Sequence, residues 1–167
     1  HYDIQIEIFE ENDSIKKVAT IQFKVLAETP SVFFDLDQSM MVDWVKLEGK
    51  KIAPSTQNNQ ITLKPKNPFK PGIYVAKINY KGIPTDGLII SKNKYENRTF
   101  FGDNWPNRAH YWFPCIDHPS DKATVDFKII APAKYQVVAN GVLKEKSNTN
   151  NGKFLTHYSS NQVLPTK

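Results

Sequence analysis

A single cysteine, Cys115, in 167 residues excludes an internal disulfide and any zinc site built from several thiolates. No window approaches the roughly 20 consecutive apolar residues of a membrane-spanning helix. No stretch sustains a 3.6-residue apolar stripe, so long amphipathic helices are not expected. The phosphate-binding patterns GxxxxGK[ST] and GxGxxG do not occur, and neither does H-E-x-x-H, which removes the usual nucleotide-site and zinc-hydrolase signatures. The opening HYDIQIEIFEEND has neither a basic nor an apolar leader region. It also lacks an initiator Met and reads as a processed or engineered start. Charge is not concentrated either: the balance is +5, from 22 Lys and Arg against 17 Asp and Glu. Its lysines are dispersed near turns (Lys16-Lys17, Lys50-Lys51, Lys64, Lys66, Lys70, Lys144, Lys146). Nucleic-acid binders gather charge on one face among stacking aromatics, so no nucleic-acid partner is expected.

What is present is a chain of strands. Hydrophobic residues make up 40% and aromatics 12%, ample for the core of one domain. Tyr2, Ile4, Ile6 and Ile8 alternate with Asp3, Gln5 and Glu7, the period of a half-buried strand. Asn12-Asp13-Ser14 makes a turn, and IKKVATIQFKVLA (15–27) reads as the return strand of a hairpin. SVFFDL, MVDWVKLEG, QITLK, GIYVAKINY, GLIIS, TVDFKIIAP, YQVVANGVLKE and KFLTHYSS continue the series. Pro54, Asn58-Asn59, Pro68, Pro71-Gly72, Pro84, Pro132 and Asn140-Gly141 punctuate it. VVANGVL reads as a two-residue hairpin on Asn140-Gly141. Ten or more short strands at this spacing predict an all-β fold, an antiparallel β-sandwich or saddle-like curved sheets. One long irregular loop, from Ser91 to Ala123, interrupts the rhythm, and a loop that long in a compact domain is functional or covers an interface.

Three chemistries fit the residues around that loop. His110, Cys115, Asp117 and His118 are metal-ligating types within nine residues, but their spacing matches no zinc pattern. Pro114 and Pro119 further restrain their convergence. Cys115 with a His base would suit nucleophilic catalysis, yet FPCI places it among apolar neighbours, where a free Cys packs as a small hydrophobe. Asp117, followed by Pro119 and Lys122, reads as a turn cap with a local ion pair. By residue chemistry alone, no catalytic and no metal-binding residue is assigned. Trp105, Tyr111 and Trp112, beside Asp103, Asn104 and Arg108, could form an aromatic platform for sugar or peptide. That leaves a carbohydrate- or protein-binding β-sandwich module as the alternative function.

HYDIQIEI at the start, WFPCIDHPSDKATVDFKIIAP in the middle and VVANG after it resemble, in order and spacing, the N-terminal domain of the aminopeptidase N family of gluzincin zinc metallopeptidases. The family's middle segment reads approximately Q-x-E-P-x-x-A-R-x-x-F-P-C-x-D-x-P-x-x-K-A-T-F, followed by S-N-G. Pro106, Ala109, Phe113, Pro114, Cys115, Asp117, Pro119, Lys122, Ala123, Thr124, Asn140 and Gly141 match it, and the similarity spans nearly all of the chain. The resemblance implies that residues 1–167 are a non-catalytic front β-domain. The zinc ligands and the G-x-M-E-N loop would then lie in a downstream catalytic domain outside this sequence. It implies no cofactor in this chain and zinc in the catalytic domain. The partners implied are that domain and the N-terminus of a peptide substrate.

In the family the Q-x-E loop lines the pocket for the first side chain and helps hold the free amine. Counting back from Pro114 without gaps places the Gln at Asp103 and the amine-binding Glu at Trp105, while the Arg after Ala109 is His110. An ammonium needs an anion, and Trp105 offers only its π face. Asp103 is therefore expected to supply the carboxylate, Trp105 to line the side-chain pocket, and Asn104 to complete the substrate-binding group. Asn12-Asp13-Ser14 and Asn97-Arg98-Thr99 fit the glycosylation sequon. With the trimmed start, they point toward an extracytoplasmic, periplasmic or cell-envelope bacterial protein.

Overall fold

The computed structural model describes residues 1–149 and 151–166. The alternation of YDIQIEI builds β1 (Tyr2–Ile8), with Tyr2, Ile4, Ile6 and Ile8 buried. β2 (Ile15–Val25) returns antiparallel, setting Tyr2 opposite Ile21 and Ile8 opposite Ile15. The chain continues through β3 (Val32–Asp35), β4 (Met40–Leu47), β5 (Lys50–Ile52), β6 (Ser55–Gln57), β7 (Gln60–Leu63) and β8 (Gly72–Gly82). Then follow β9 (Leu88–Lys92), β10 (Arg98–Gly102), β11 (Lys122–Pro132), β12 (Val142–Asn148) and β13 (Lys153–Pro165). The only helical element among the described residues is a 3-10 turn, Ala109–Tyr111.

Eight strands form one sheet in the order β12-β13-β11-β1-β2-β8-β4-β5, with a three-stranded sheet β3-β7-β6 and the hairpin β9-β10 beside it. All its pairings are antiparallel except β1 with β11, which run parallel with Ile4 opposite Phe127. The all-β expectation holds, with that one parallel pair joining the two ends of the chain's strand series. Ile4, Ile6, Ile15, Ala19, Ile21, Ala76, Ile78, Tyr80 and Val45 share the inner face of the large sheet and are buried. Phe23 of β2 meets Phe34 of β3 edge-on at 5.5 Å and Phe69 at 6.0 Å, fastening the small sheet onto this face. Each such aliphatic or aromatic side chain contributes roughly 1.5–3 kcal/mol when fully buried.

Two local expectations are corrected. The stretch 91–123 is not irregular throughout, because RTFFG forms β10 and pairs with β9, Phe100 opposite Ile90. The irregular part is 103–121. VVANGVL is not a hairpin: 135–141 carry no strand, and β12 starts at Val142 and pairs with β13. Tyr135, Val137 and Ala139 instead cover a chamber of about 420 Å³ floored by Ile6, Phe127 and Ile129. Burial of those side chains takes the place of a ladder that the two runs would otherwise form. Gly141 has φ of +101°, and a Cβ there would lie 2.1 Å from the Ser159 carbonyl oxygen. This glycine serves a close backbone approach rather than a two-residue turn.

Candidate functional site

The loop 103–121 lies over the inner face of the large sheet, buries Ala109, Trp112, Phe113, Pro114 and Cys115 against it, and fixes the rest of its course with polar side chains. It enters from β10, where the Asp103 N–H donates to the Gly87 carbonyl at 2.7 Å. Gly87 has φ of +71°, and a Cβ would meet the Arg108 carbonyl oxygen at 2.0 Å, so only glycine permits this approach. Arg108 then ties the loop to itself. Its Nε donates to the Trp105 carbonyl at 2.6 Å and its Nη1 to Asp86 Oδ1 at 3.3 Å, while Nη2 pairs with Asp103 Oδ2. Two carboxylates share one guanidinium, leaving one net negative charge, and both remain about a third open to solvent, Asp86 at 38% and Asp103 at 35%.

Asn104 turns inward. Its Oδ1 accepts the Trp112 Nε1–H at 2.7 Å and its Nδ2 donates to the Thr166 carbonyl at 2.9 Å. Trp112 is buried and lies parallel to Phe127, ring centroids 6.2 Å apart. The Trp112 carbonyl accepts from Tyr80 Oη at 3.2 Å and from Lys17 Nζ. Lys17 is a buried lysine on the core face of β2. Among the described residues it has no carboxylate partner, only that carbonyl and the rings of Tyr80 and Trp112 at 5.5 and 5.1 Å. Burial pushes its pKa well below the ordinary lysine value.

Farther along, His110 Nδ1 sits 2.6 Å from Asp117 Oδ2, which also accepts the His110 N–H at 3.0 Å. That bond raises the imidazole above its ordinary pKa against the opposing effect of burial. Asp117 thus pairs with His110 rather than with Lys122, as the local sequence had indicated. Its other oxygen accepts from Thr166 Oγ1 at 3.3 Å. Cys115 bridges Asp35 through the backbone and is fully buried, and that burial pushes its thiol well up, with Asp117 and Asp35 adding to the shift. It is a core thiol, not a nucleophile. His118 turns away to Ser120 Oγ at 2.7 Å. Among the described residues no group of three His, Cys, Asp or Glu could hold a metal ion. The four ligand types of 110–118 are consumed by structural bonds, and no zinc chemistry is derived for this chain.

Asp103 and Asn104 are therefore brought together with Arg108, while Trp105 stands 61% exposed at the loop's outer side. The aromatic platform does not form. Trp112 is in the core, and Tyr111 leans on His110 with centroids 4.3 Å apart. Sequence reasoning missed Asp86, Thr166 and Lys17. The first two are distant in sequence and carry no motif. Lys17 was detectable, because period two places it on the same face as Ile15, Ala19 and Ile21.

The family model described as the Peptidase M1 N-terminal domain matches residues 1–167. Among solved structures, the M1 zinc metallopeptidase from Deinococcus radiodurans is 22% identical, with a TM-score of 0.86 over 99% of this chain and 39% of that one. A mutant of that enzyme bound to a Tyr-Ser-Ala substrate is 21% identical, TM-score 0.85, over 99% and 39% of the two chains. A two-domain M1 zinc metallopeptidase mutant bound to L-tryptophan is 20% identical, TM-score 0.86, over 99% and 40%. The chain thus spans about two fifths of the length of these structures, and at such identities the likeness establishes the fold. A search of curated proteins gives no match. On the family match across its whole length, this chain belongs to the N-terminal domain family of the M1 peptidases.

Proposed function

We propose that residues 1–167 form the non-catalytic front domain of a zinc-dependent aminopeptidase, docked on a separate catalytic domain and walling one side of its substrate cleft. The loop 103–105 is then this domain's contribution to the site. The observation that carries the reading is the two-carboxylate, one-guanidinium cluster of Asp86, Asp103 and Arg108, which includes the residue that ungapped counting aligns with the start of the family's Q-x-E loop. Its residual negative charge and partial exposure suit a peptide's terminal ammonium, and a charge-assisted bond there would orient the substrate. Trp105, exposed beside it, offers an apolar face to the first side chain. Asn104 couples this loop to Thr166, so polypeptide continuing beyond that residue would begin next to the cluster.

Zinc and its ligands belong, on this reading, to the catalytic domain, where the metal would polarise the scissile carbonyl and activate water. The test is Asp103→Ala in the full-length protein. Loss of one charge-assisted bond is expected to raise KM for free-amine substrates about tenfold, with a smaller change in kcat. An unchanged KM would remove Asp103 from the amine site.

A further inference from the structure

Strand register gathers lysines that are scattered in sequence. Lys51 of β5 lies directly opposite Lys46 of β4, and Lys46 directly opposite Lys77 of β8. Three lysines thus stand in one row across three adjacent strands, about 4.8 Å apart at the backbone. A second row on the same outer face sets Met41 opposite Lys81 and Lys81 opposite Lys16. All five lysines are exposed. Lys81 pairs with Asp43 at 3.2 Å, but among the described residues no carboxylate pairs with Lys46, Lys51 or Lys77.

Directly opposed like charges destabilise a sheet. Edge protection accounts for lysine on β5, the outermost strand, and not for Lys46 and Lys77 on interior strands. The acidic groups of this face are satisfied elsewhere: Asp3 by Lys128 at 2.6 Å, Glu7 by Lys153 at 2.7 Å, and Asp126 faces His1 and His157 at 3.6 and 3.7 Å. What remains is a cationic patch of two rows lying about 13 Å apart along the strands. Among the described residues, Lys46, Lys51 and Lys77 of the first row and Lys16 of the second have no salt-bridge partner, while Asp43 neutralises Lys81 and Glu7 stands opposite Lys16. Between its rows stands Trp44, with Lys46 Nζ 5.4 Å from the ring centroid, and at its margin Met41 is 62% exposed.

We propose that this outer face is a peripheral docking surface for an anionic lipid headgroup layer. A patch that extends in two directions matches a plane of charges better than a single polymer strand. Lysines on flexible stems with an interspersed Trp and an exposed Met are the composition of an interfacial contact. The face opposes the one that carries loop 103–121, so lipid contact and substrate access do not compete.

The test is cosedimentation of the full 167-residue chain with vesicles of phosphatidylglycerol and phosphatidylcholine, and with phosphatidylcholine alone, at low salt. Binding is expected only to the anionic vesicles and is expected to weaken as salt is added. Each lysine near the surface is worth about fivefold, so Lys46→Gln with Lys77→Gln lowers partitioning about 25-fold. The charge-matched Lys64→Gln with Lys66→Gln, on loop residues away from the patch, leaves it little changed. Surface substitutions of this kind leave the fold intact, checked by unchanged melting. Absence of binding, equal binding to neutral vesicles, or equal loss in both double variants overturns the proposal. Tighter binding to single-stranded DNA than to the vesicles overturns the lipid assignment.

Discussion

Along β2, Ile15, Ala19 and Ile21 are buried by simple alternation, and every residue from Ile15 to Val25 has a partner on β8. Along 103–121, by contrast, the buried Ala109, Trp112, Phe113 and Cys115 anchor the centre, and a few side chains with several bonds each, Arg108, Asn104 and Asp117, fix the rest. The sheet distributes its stability over many equivalent contacts, whereas the loop combines a short buried segment with a few polar residues that each make several bonds. A loop can expose polar groups and still hold their geometry when multivalent polar side chains at its ends are combined with a buried centre, here Ala109, Trp112, Phe113 and Cys115.

The largest test of this contrast pairs one residue from each region. Ile78→Ala on β8 opens a cavity under the whole sheet and is expected to cost about 2–5 kcal/mol of global stability. Asn104→Ala strands the Trp112 indole N–H and the Thr166 carbonyl, at about 1–3 kcal/mol. Native-state hydrogen exchange separates the two: Ile78→Ala raises exchange throughout the sheet, and Asn104→Ala raises it in 103–121. If both variants loosen the same amides, the two regions are not held independently.

Lys17 joins the regions, since it stands on the core face of the sheet and donates to the loop carbonyl of Trp112. Because its folded pKa is depressed, the unfolded chain binds the extra proton between the folded value and about 10.4. Stability from this group therefore rises with pH across that window. Lys17→Met removes the slope while changing stability by no more than about 2 kcal/mol at neutral pH. Melting curves from about pH 6 to 9, below the ordinary titration of tyrosine, read the effect. The variant's stability relative to the parent is expected to fall as pH rises above the folded Lys17 pKa, and parallel profiles would show that burial does not depress that pKa.

Legibility follows the same division. β1, β2 and β8 were readable because alternation is local and the buried face repeats every second residue. The parallel pairing of β1 with β11 was not, since it joins residues more than 120 positions apart and has no turn to signal it. β10 was hidden by the polar connection 93–97 that precedes it. Residues 135–140 looked like a strand because Val137 and Val138 precede Asn140-Gly141, yet Tyr135, Val137 and Ala139 gain more by covering the chamber beside Phe100 and Phe127, with Val138 left exposed. At the proposed site, Asp103, Asn104 and Trp105 were expected from the resemblance alone. The Asp86–Arg108 contact and the lysine row depend on register and loop closure, which no local pattern encodes.

The most direct test of the central claim is hydrolysis of aminoacyl-nitroanilides by the full-length protein, with and without a metal chelator, beside residues 1–167 alone. The account predicts chelator-sensitive release by the full-length protein only when the substrate's amine is free, and none by residues 1–167. Full-length protein that is inactive, or active regardless of chelator, would contradict the reading of this domain as the front wall of a zinc aminopeptidase.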